Sequence, residues 1–523
     1  MKKLISYNII FLIFSHLCIA QEKVSGIVYD DATNNSIPNV AIYDSNSEQV
    51  YYTDKSGYFE FNKNINTSEI IFFIKGYVLL SKQLSKDNTN LNIRLSSRVE
   101  QLNEVVVRAN KKKIFQIRRM KDFEETSVFA GKKNEVILLE LSMANLASNN
   151  ARQIYNQIPG LNIYQNDDAG LQLNIGGRGL DPNRTSNFNT RQNGYDISAD
   201  ALGYPESYYT PPAEGLNEIQ ILRGAASLQY GTQFGGLINF IMKKPNPDKK
   251  LEIITRNTVG SNDLFTNFTS LSSKGKKLSY YGYFNYKKGN GFRKNSNFES
   301  MNTFQFIEYK FNETSSISSE ITYLKYLAKQ AGGLSDEMFI QNPFQSNRSR
   351  NWFEVDWLLY NLKFKKEFSA NTNFSFSFFG LEAKRNSLGF RTNRVSQVDS
   401  GQERDLIKGD FSNFGFETRL LTNYKAFKNK SYFLLGLKYY NSNSSSIQGP
   451  GSNGDDANFN FQNSLYPNYT NQSNYIYPNR NIALFGENIF YLNDKFSITP
   501  GFRYENIVTK SDGFYRKINL DGA

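Results

Sequence analysis

The side chains that most often make and break bonds are nearly absent from this chain. One cysteine, Cys18, and one histidine, His16, occur in 523 residues, and both lie in the first twenty. That segment, MKKLISYNIIFLIFSHLCIA, has a basic start, an apolar middle and a small residue at its end, which is the form of a secretory signal peptide over residues 1–20. Leu17 before Cys18 argues against a lipoprotein site. Asn8, Ser15 and His16 interrupt a core already short of the ~20 apolar residues a membrane helix needs. Without this leader the chain has neither thiol nor imidazole, which excludes disulfides, thiolate metal sites, cysteine nucleophiles and any histidine base. Gly176-Gly177-Arg178-Gly179 lacks the Lys-Ser/Thr and the spacing of a phosphate loop. Asp167-Asp168 and Asp455-Asp456 offer too few ligands for a hard cation and read as solvated loop acids. We therefore expect no catalytic residues, no metal site, no resident cofactor and no enzyme.

The elements that carry the remaining residues are mainly β. Phe (42) and Tyr (33) make up most of the 15% aromatic content, against a hydrophobic fraction of only 39%. That balance suits aromatic, polar-alternating strands rather than a large aliphatic core. The net charge of +12 becomes +10 once Lys2 and Lys3 leave with the leader. In an exported protein this suits anionic lipid heads or anionic solutes, not nucleic acid.

Four regions follow the leader. Residues 21–98 read as short strands, VSGIVYD, PNVAIYD, QVYYTDKSGYFEF, EIIFFIKGY and LNIRL, with Asp54-Lys55-Ser56-Gly57 as a hairpin signal. Together they suffice for a small β-sandwich. Residues 99–121 hold Leu102-Asn103-Glu104-Val105-Val106-Val107, then seven Lys or Arg within 108–121 that read as a solvated basic linker. Residues 122–245 form a glycine-rich α+β unit, with a helix expected in NEVILLELSMANLASNNARQIYNQIPG before Pro159-Gly160.

Residues 246–523 carry the clearest pattern. Leu358, Tyr360, Leu362 and Phe364 fall on one face of a strand, as do Phe374, Phe376 and Phe378, and Phe496, Ile498, Phe502 and Tyr504. Eleven such segments are expected near 251–259, 263–272, 277–288, 300–313, 315–329, 354–368, 372–386, 410–426, 430–445, 480–493 and 495–510. Short links alternate with long ones at 287–300, 329–353, 387–409 and 446–479, which is the asymmetry of a transmembrane antiparallel β-barrel. An odd number of strands ending at NLDGA implies a partial barrel, the N-terminal half of about 22 strands, in a C-terminally truncated chain.

These residues resemble two families. The pattern G-x-V-x-D, I-P-N-V, T-D-x-x-G-x-F in 21–98 is similar to the carboxypeptidase regulatory-like domain, an accessory without catalytic residues. The leader, LNEVVV, the GGRG turn, Leu222-Arg223-Gly224-Ala225-Ala226-Ser227-Leu228-Gln229-Tyr230-Gly231 and the strands beyond resemble a TonB-dependent outer-membrane receptor. RGAASLQYGTQFGGLINF with GYPESYYTPPAEGLNEIQILRG is closer to its ferric-citrate receptor branch than to the glycan importers.

The resemblance implies active import across the outer membrane of a Gram-negative bacterium, with the N-terminal domain periplasmic. The cargo would be a ferric chelate such as ferric citrate or another siderophore; a glycan, a peptide or cobalamin is the alternative, and a passive porin or adhesin a more distant one. Leu102 to Val107 would be the TonB box, an exposed strand completed by TonB, which works with ExbB and ExbD; the competing reading makes it the last strand of the sandwich. Arg178 and Arg223 hold the positions of plug arginines that pair with acidic barrel residues, unless they are strand-end arginines in channel water. Segment 181–209 falls where such plugs face outward. There Arg184 and Arg191 present guanidinium forks that match carboxylates, and Tyr195, Tyr204, Tyr208 and Tyr209 would line the pocket.

Overall fold

The computed structural model describes residues 23–44, 50–62, 69–75, 77–84 and 90–96, then 117–139, the single positions 145, 154 and 158, and most of 160–516. Segment 102–107, Arg178 and Arg184 lie outside the described residues. Contacts divide the chain into two compact units, Met1–Lys111 and Lys112–Ala523.

The first unit is a sandwich of two sheets. Tyr58–Asn62, Lys23–Asp30 and Asn90–Leu95 form one, and Val50–Tyr52, Ala41–Asp44, Glu69–Phe73 and Leu80–Gln83 the other. Alternation places Val24, Val28, Ile42, Phe59, Phe61, Ile70, Phe72 and Ile93 in the shared core. Asp54-Lys55-Ser56-Gly57 does turn the chain, but not as a hairpin. The strands on either side of it belong to different sheets, so the turn crosses the sandwich. The Asp54 carboxylate accepts from the amides of Ser56 and Tyr58, and Gly57 takes φ +77°.

In the second unit a six-stranded sheet forms the plug, in the order Tyr195–Asp196, Phe188–Gln192, Gly236–Met242, Leu216–Arg223, Asn134–Leu138, Ile117–Arg118. Gly236 shows what its glycines are for. It sits at φ +123°, and a Cβ there would lie 2.0 Å from the Leu222 carbonyl oxygen of the paired strand. The helix expected over NEVILLELSMANL begins instead as a strand. Asn134–Leu138 pairs antiparallel with Leu216–Arg223, and most of 140–157 lies outside the described residues. A buried strand covered on both faces carries the same apolar run as the start of a helix, and periodicity does not separate them.

Around the plug runs one large antiparallel sheet. Its strands are Leu251–Gly260, Leu264–Lys274, Leu278–Gly289, Phe298–Asn312, Ser315–Lys329, Trp352–Ser369, Thr372–Gly389, Asp405–Ala426, Asn429–Pro450 and Ser473–Asn493. An eleventh path is broken into Phe496–Ile498, Gly501–Thr509 and Asp512–Tyr515, all paired with Ser473–Asn493. Pro500, which has no N–H to give, stands at the first break. Among the described residues the two outermost strands each pair on one side only. The three longest strands exceed expectation: they run on through DLIKG, SIQGP and SNYIYPN, segments that the sequence reading gives to long loops. Twenty-two residues at roughly 3.3 Å each span about 70 Å, over twice a ~30 Å hydrocarbon layer. The polar ends therefore stand clear of it. No described helix is long and apolar enough to cross a membrane.

Leu362, Phe378, Phe414 and Leu437 face outward at mid-height and stay exposed, the band that lipid would cover. Phe378→Arg should cost about 2–4 kcal/mol in bilayers, read by denaturant titration of the folded protein. A cost near zero would mean that this face does not meet lipid.

Candidate functional site

The plug meets the wall through two zones of different chemistry. Toward the long-loop end the contact is apolar and aromatic: Phe188, Tyr195, Tyr208, Tyr209 and Ile219 of the plug pack with Phe268, Tyr283, Phe304, Tyr326, Phe353, Trp357 and Leu381 of the wall. Gly215 is needed here, since a Cβ would stand 2.6 Å from the Tyr283 ring. Toward the short-turn end the same wall strands turn polar, and a cavity of about 220 Å³ opens between plug and wall. Glu125, Glu218, Gln220, Lys244, Glu320, Lys363, Lys365 and Arg419 are among its lining residues.

The plug apex is the loop 197–215. Asp200, fully buried, anchors it: its carboxylate accepts from Tyr440 Oη at 3.1 Å, from Asn479 Nδ2 and from the amide of Leu202. Several donors offset the cost of burying that charge. Gly203 stays exposed beyond it. Beside it the Arg385 guanidinium of the wall donates to Tyr204 Oη at 2.8 Å and lies over the rings of Tyr204 and Tyr208, 5.8 and 5.7 Å from their centroids. Phe411 stacks on Tyr204 at 5.3 Å, and Tyr208 Oη donates to Glu206 at 2.6 Å. Apex and wall thus share one cluster of phenols, a carboxylate and a guanidinium.

Residues marked from sequence separate clearly. Tyr204 and Tyr208 are in the apex cluster, Tyr204 half-buried and Tyr208 buried. Tyr195 and Tyr209 are buried against the wall, and burial pushes both phenols above their ordinary pKa. Arg191 is fully buried where plug meets wall, 3.9 Å from the Glu417 carboxylate of the wall. It donates to Asn189 Oδ1 at 2.7 Å and to the Gly194 carbonyl at 2.6 Å, and lies over the Tyr230 ring. The hairpin that holds it has both faces covered, by plug and by wall, so its guanidinium has no route to the apex. Arg223 pairs at 2.7 Å with Glu135 on the neighbouring strand of the plug's own sheet, not with the wall. Asp168 is exposed, as the reading of a solvated loop acid expects, though it accepts from the Phe292 amide; Asp167 is half-buried and accepts from Tyr326 Oη. Asp456 takes a hydrogen bond from the buried Arg404. Among the described residues no cluster of three or more His, Cys, Asp or Glu could hold a metal.

A second set of bonds between plug and wall gathers on the plug segment 122–132, mostly from basic residues. Glu125, at the tip of the hairpin Phe123–Glu124/Ser127–Val128, accepts from Lys365 at 2.5 Å and Lys363 at 3.3 Å, with Lys244 of the plug at 3.8 Å. Thr126 bonds Ser375 at 2.7 Å, and Arg419 donates to Ser127 Oγ and Gln229 Oε1, each at 2.7 Å. Lys132 reverses the sense, donating to the buried Glu487 of the wall. The sequence pattern singles out none of these residues, yet Arg385, Lys363 and Lys365 fall on the inward parity, opposite to the outward one of Phe374, Phe378, Leu362 and Phe364.

Comparison with known proteins agrees with this geometry. The family model of the CarboxypepD_reg-like domain matches residues 24–107, and that of the TonB-dependent Receptor Plug Domain matches 140–237. The ferric enterobactin receptor PirA of Pseudomonas aeruginosa is 31% identical over 140 residues, 24% of this chain and 17% of that protein. Among solved structures, the ferric citrate transporter FecA in its unliganded form superposes with a TM-score of 0.61 at 18% identity, over 76% of this chain and 58% of that one. The ferric-catecholate import receptor Fiu of E. coli K12 gives 0.57 at 13%, over 75% and 63%. At such identities the likeness is one of fold. The chain spans less than two thirds of each of these relatives. The matched proteins are receptors and transporters, not enzymes.

The Glu125 contact is testable by pH. Lys363, then Lys365 and Lys244, hold its carboxyl well below the usual carboxylate range against the opposing effect of burial. A carboxyl lowered by folding stabilises fully above its unfolded value, about 4.3, and loses that contribution as pH falls through the folded value. Hydrogen exchange over 123–128 should therefore stay slow from pH 7 to about 4.5 and speed up below. In Glu125→Gln it should be faster at pH 7 and lack that acid step. Identical profiles for the two proteins would remove Glu125 from the latch.

Proposed function

We propose that this chain, which has the plug domain and the fold of the TonB-dependent receptors, imports a ferric chelate across the outer membrane of a Gram-negative bacterium. The chelate binds at the plug apex. TonB, driven by ExbB and ExbD, adds a strand to residues 102–107 and pulls through the basic linker. The observation that carries this reading is a plug seated within a transmembrane-type β wall, with no strand pairing between the two sheets among the described residues. A passive pore has no use for such a stopper, and an adhesin no use for a bore. A removable stopper serves a solute that must be gripped first and released later.

Carboxylate-rich iron chelates, ferric citrate among them, suit the apex best. Arg385 holds a half-buried guanidinium beside the apex loop, already stacked and bonded to Tyr204, so little side-chain freedom is lost when an anion joins it. The relatives named for ferric enterobactin and ferric citrate support the class of cargo.

Purified protein should bind ferric citrate. Arg385→Ala should weaken that binding about tenfold or more, matching the ~1.5–3 kcal/mol of a charge-assisted hydrogen bond. Deleting 102–107 should leave binding intact and abolish uptake by iron-starved cells. Uptake that survives the deletion refutes energised import, and binding of oligosaccharide in place of the chelate refutes the cargo.

A further inference from the structure

The register of the wall gathers its inward charges onto two adjacent rungs. Lys363, Ser377, Glu417 and Lys438 stand side by side across four consecutive strands, and Lys365, Ser375 and Arg419 form the next rung. Most of these charges have settled partners: Glu417 holds Arg419, while Arg419 also bonds Ser127 and Gln229. Lys363 and Lys365 differ. Among the described residues the acceptor each finds is Glu125, and Lys244 approaches the same carboxylate from the plug.

Three ammonium groups therefore converge on one carboxylate beside the 220 Å³ cavity. The other carboxylates lining that cavity are mostly held elsewhere. Glu124 and Glu218 face Arg118, and Glu320 accepts from Asn193 at 2.9 Å; Glu308 stands on the Lys363 rung, opposite Ser318. Glu125 itself is weakly built in. It holds a left-handed backbone at φ +51°, unusual for a residue with a side chain, and 49% of its side chain is exposed. Its hairpin has only two residue pairs.

We infer that Glu125 is a built-in stand-in for an anionic solute: Lys363, Lys365 and Lys244 form a carboxylate site on the inner wall that the plug's own Glu125 fills until its hairpin withdraws. The order of events rests on the import reading, since a pull on 102–107 reaches the hairpin at 123–128 before the main strands of the plug. The site itself is a feature of the closed plug and wall. A carboxylate-bearing cargo that leaves the apex would then meet a second anion site one step further in, vacated by the same movement that opens the cavity.

The test is calorimetric titration of the full chain in detergent with sodium citrate, with neither iron nor TonB present. Glu125→Ala and Glu125→Gln should each bind citrate at least tenfold more tightly than the wild type. The triple variant Glu125→Ala, Lys363→Gln, Lys365→Gln should lose that gain. The Gln variant keeps the size of the hairpin tip and so answers the question if the Ala variant misfolds. Equal citrate affinity in wild type and Glu125→Gln, or a gain that survives loss of both lysines, overturns the inference. Because no transport enters the measurement, a positive titration beside failed chelate uptake would sink the import reading and leave the site standing; the converse would do the opposite.

Discussion

Strand-to-strand pairing in strict register is the constraint on which everything else depends. A wall that faces hydrocarbon has no water to satisfy its amides, so each must bond the next strand. Asp405–Ala426 and Asn429–Pro450 do so through twenty-two consecutive pairs. With side chains alternating at period two, that register leaves no freedom over which residues face the bore. Lys363, Lys365, Arg385 and Arg419 point inward because Leu362, Phe364, Phe378 and Leu420 on the other parity point out or are half-covered. The charged rungs and the apex guanidinium are consequences of one hydrogen-bond lattice.

The two zones of plug contact hold by different physics. Above, aromatic rings exclude water and gain free energy in proportion to the area they bury, a term insensitive to pH and salt. Below, buried ions break even at best when paired but are costly to leave single. Lys132 on the buried Glu487 therefore adds little net stability while making any half-detached state expensive. Such contacts favour states that are wholly closed or wholly exchanged, with another anion in place of the lost one. The cavity beside them supplies the route by which that anion can arrive.

Much of this was legible in the sequence, and the failures have particular causes. Period-two alternation located every wall strand, because lipid on one side and plug on the other impose opposite demands on neighbouring residues. It stopped short of the upper ends of the three longest strands, 405–409, 446–450 and 473–479, which it assigned to the long loops 387–409 and 446–479. It mistook Asn134–Leu138 for a helix start, since a strand buried on both sides loses alternation altogether. At the candidate site, tyrosine and arginine content marked the segment 181–209 but not its geometry. Arg191 and Tyr204 stand in sequence as candidates without anything to rank them. Only the pairing of Phe188–Gln192 with Gly236–Met242 buries the first, and only the proximity of Arg385, 181 residues away, gives the second its role.

Chain order and bonding strength also run together in the plug. Ile117–Arg118 joins the sheet through two residue pairs, and the hairpin Phe123–Glu124/Ser127–Val128 through two more. Asn134–Leu138 then pairs over five residues with Leu216–Arg223, which pairs over seven with Gly236–Met242. A load entering from the basic linker would meet these two-pair ladders before the five- and seven-pair ladders that follow. Phe188, Tyr209, Ile219 and Ile238, further along the chain, lie in the aromatic and apolar zone against the wall. Elements that give way early are thus those fixed to the wall by exchangeable charge, and elements that resist are those fixed by buried area. The plug can loosen where Glu125 sits without disturbing the apex cluster that Asp200 and Arg385 hold to the opposite end of the bore.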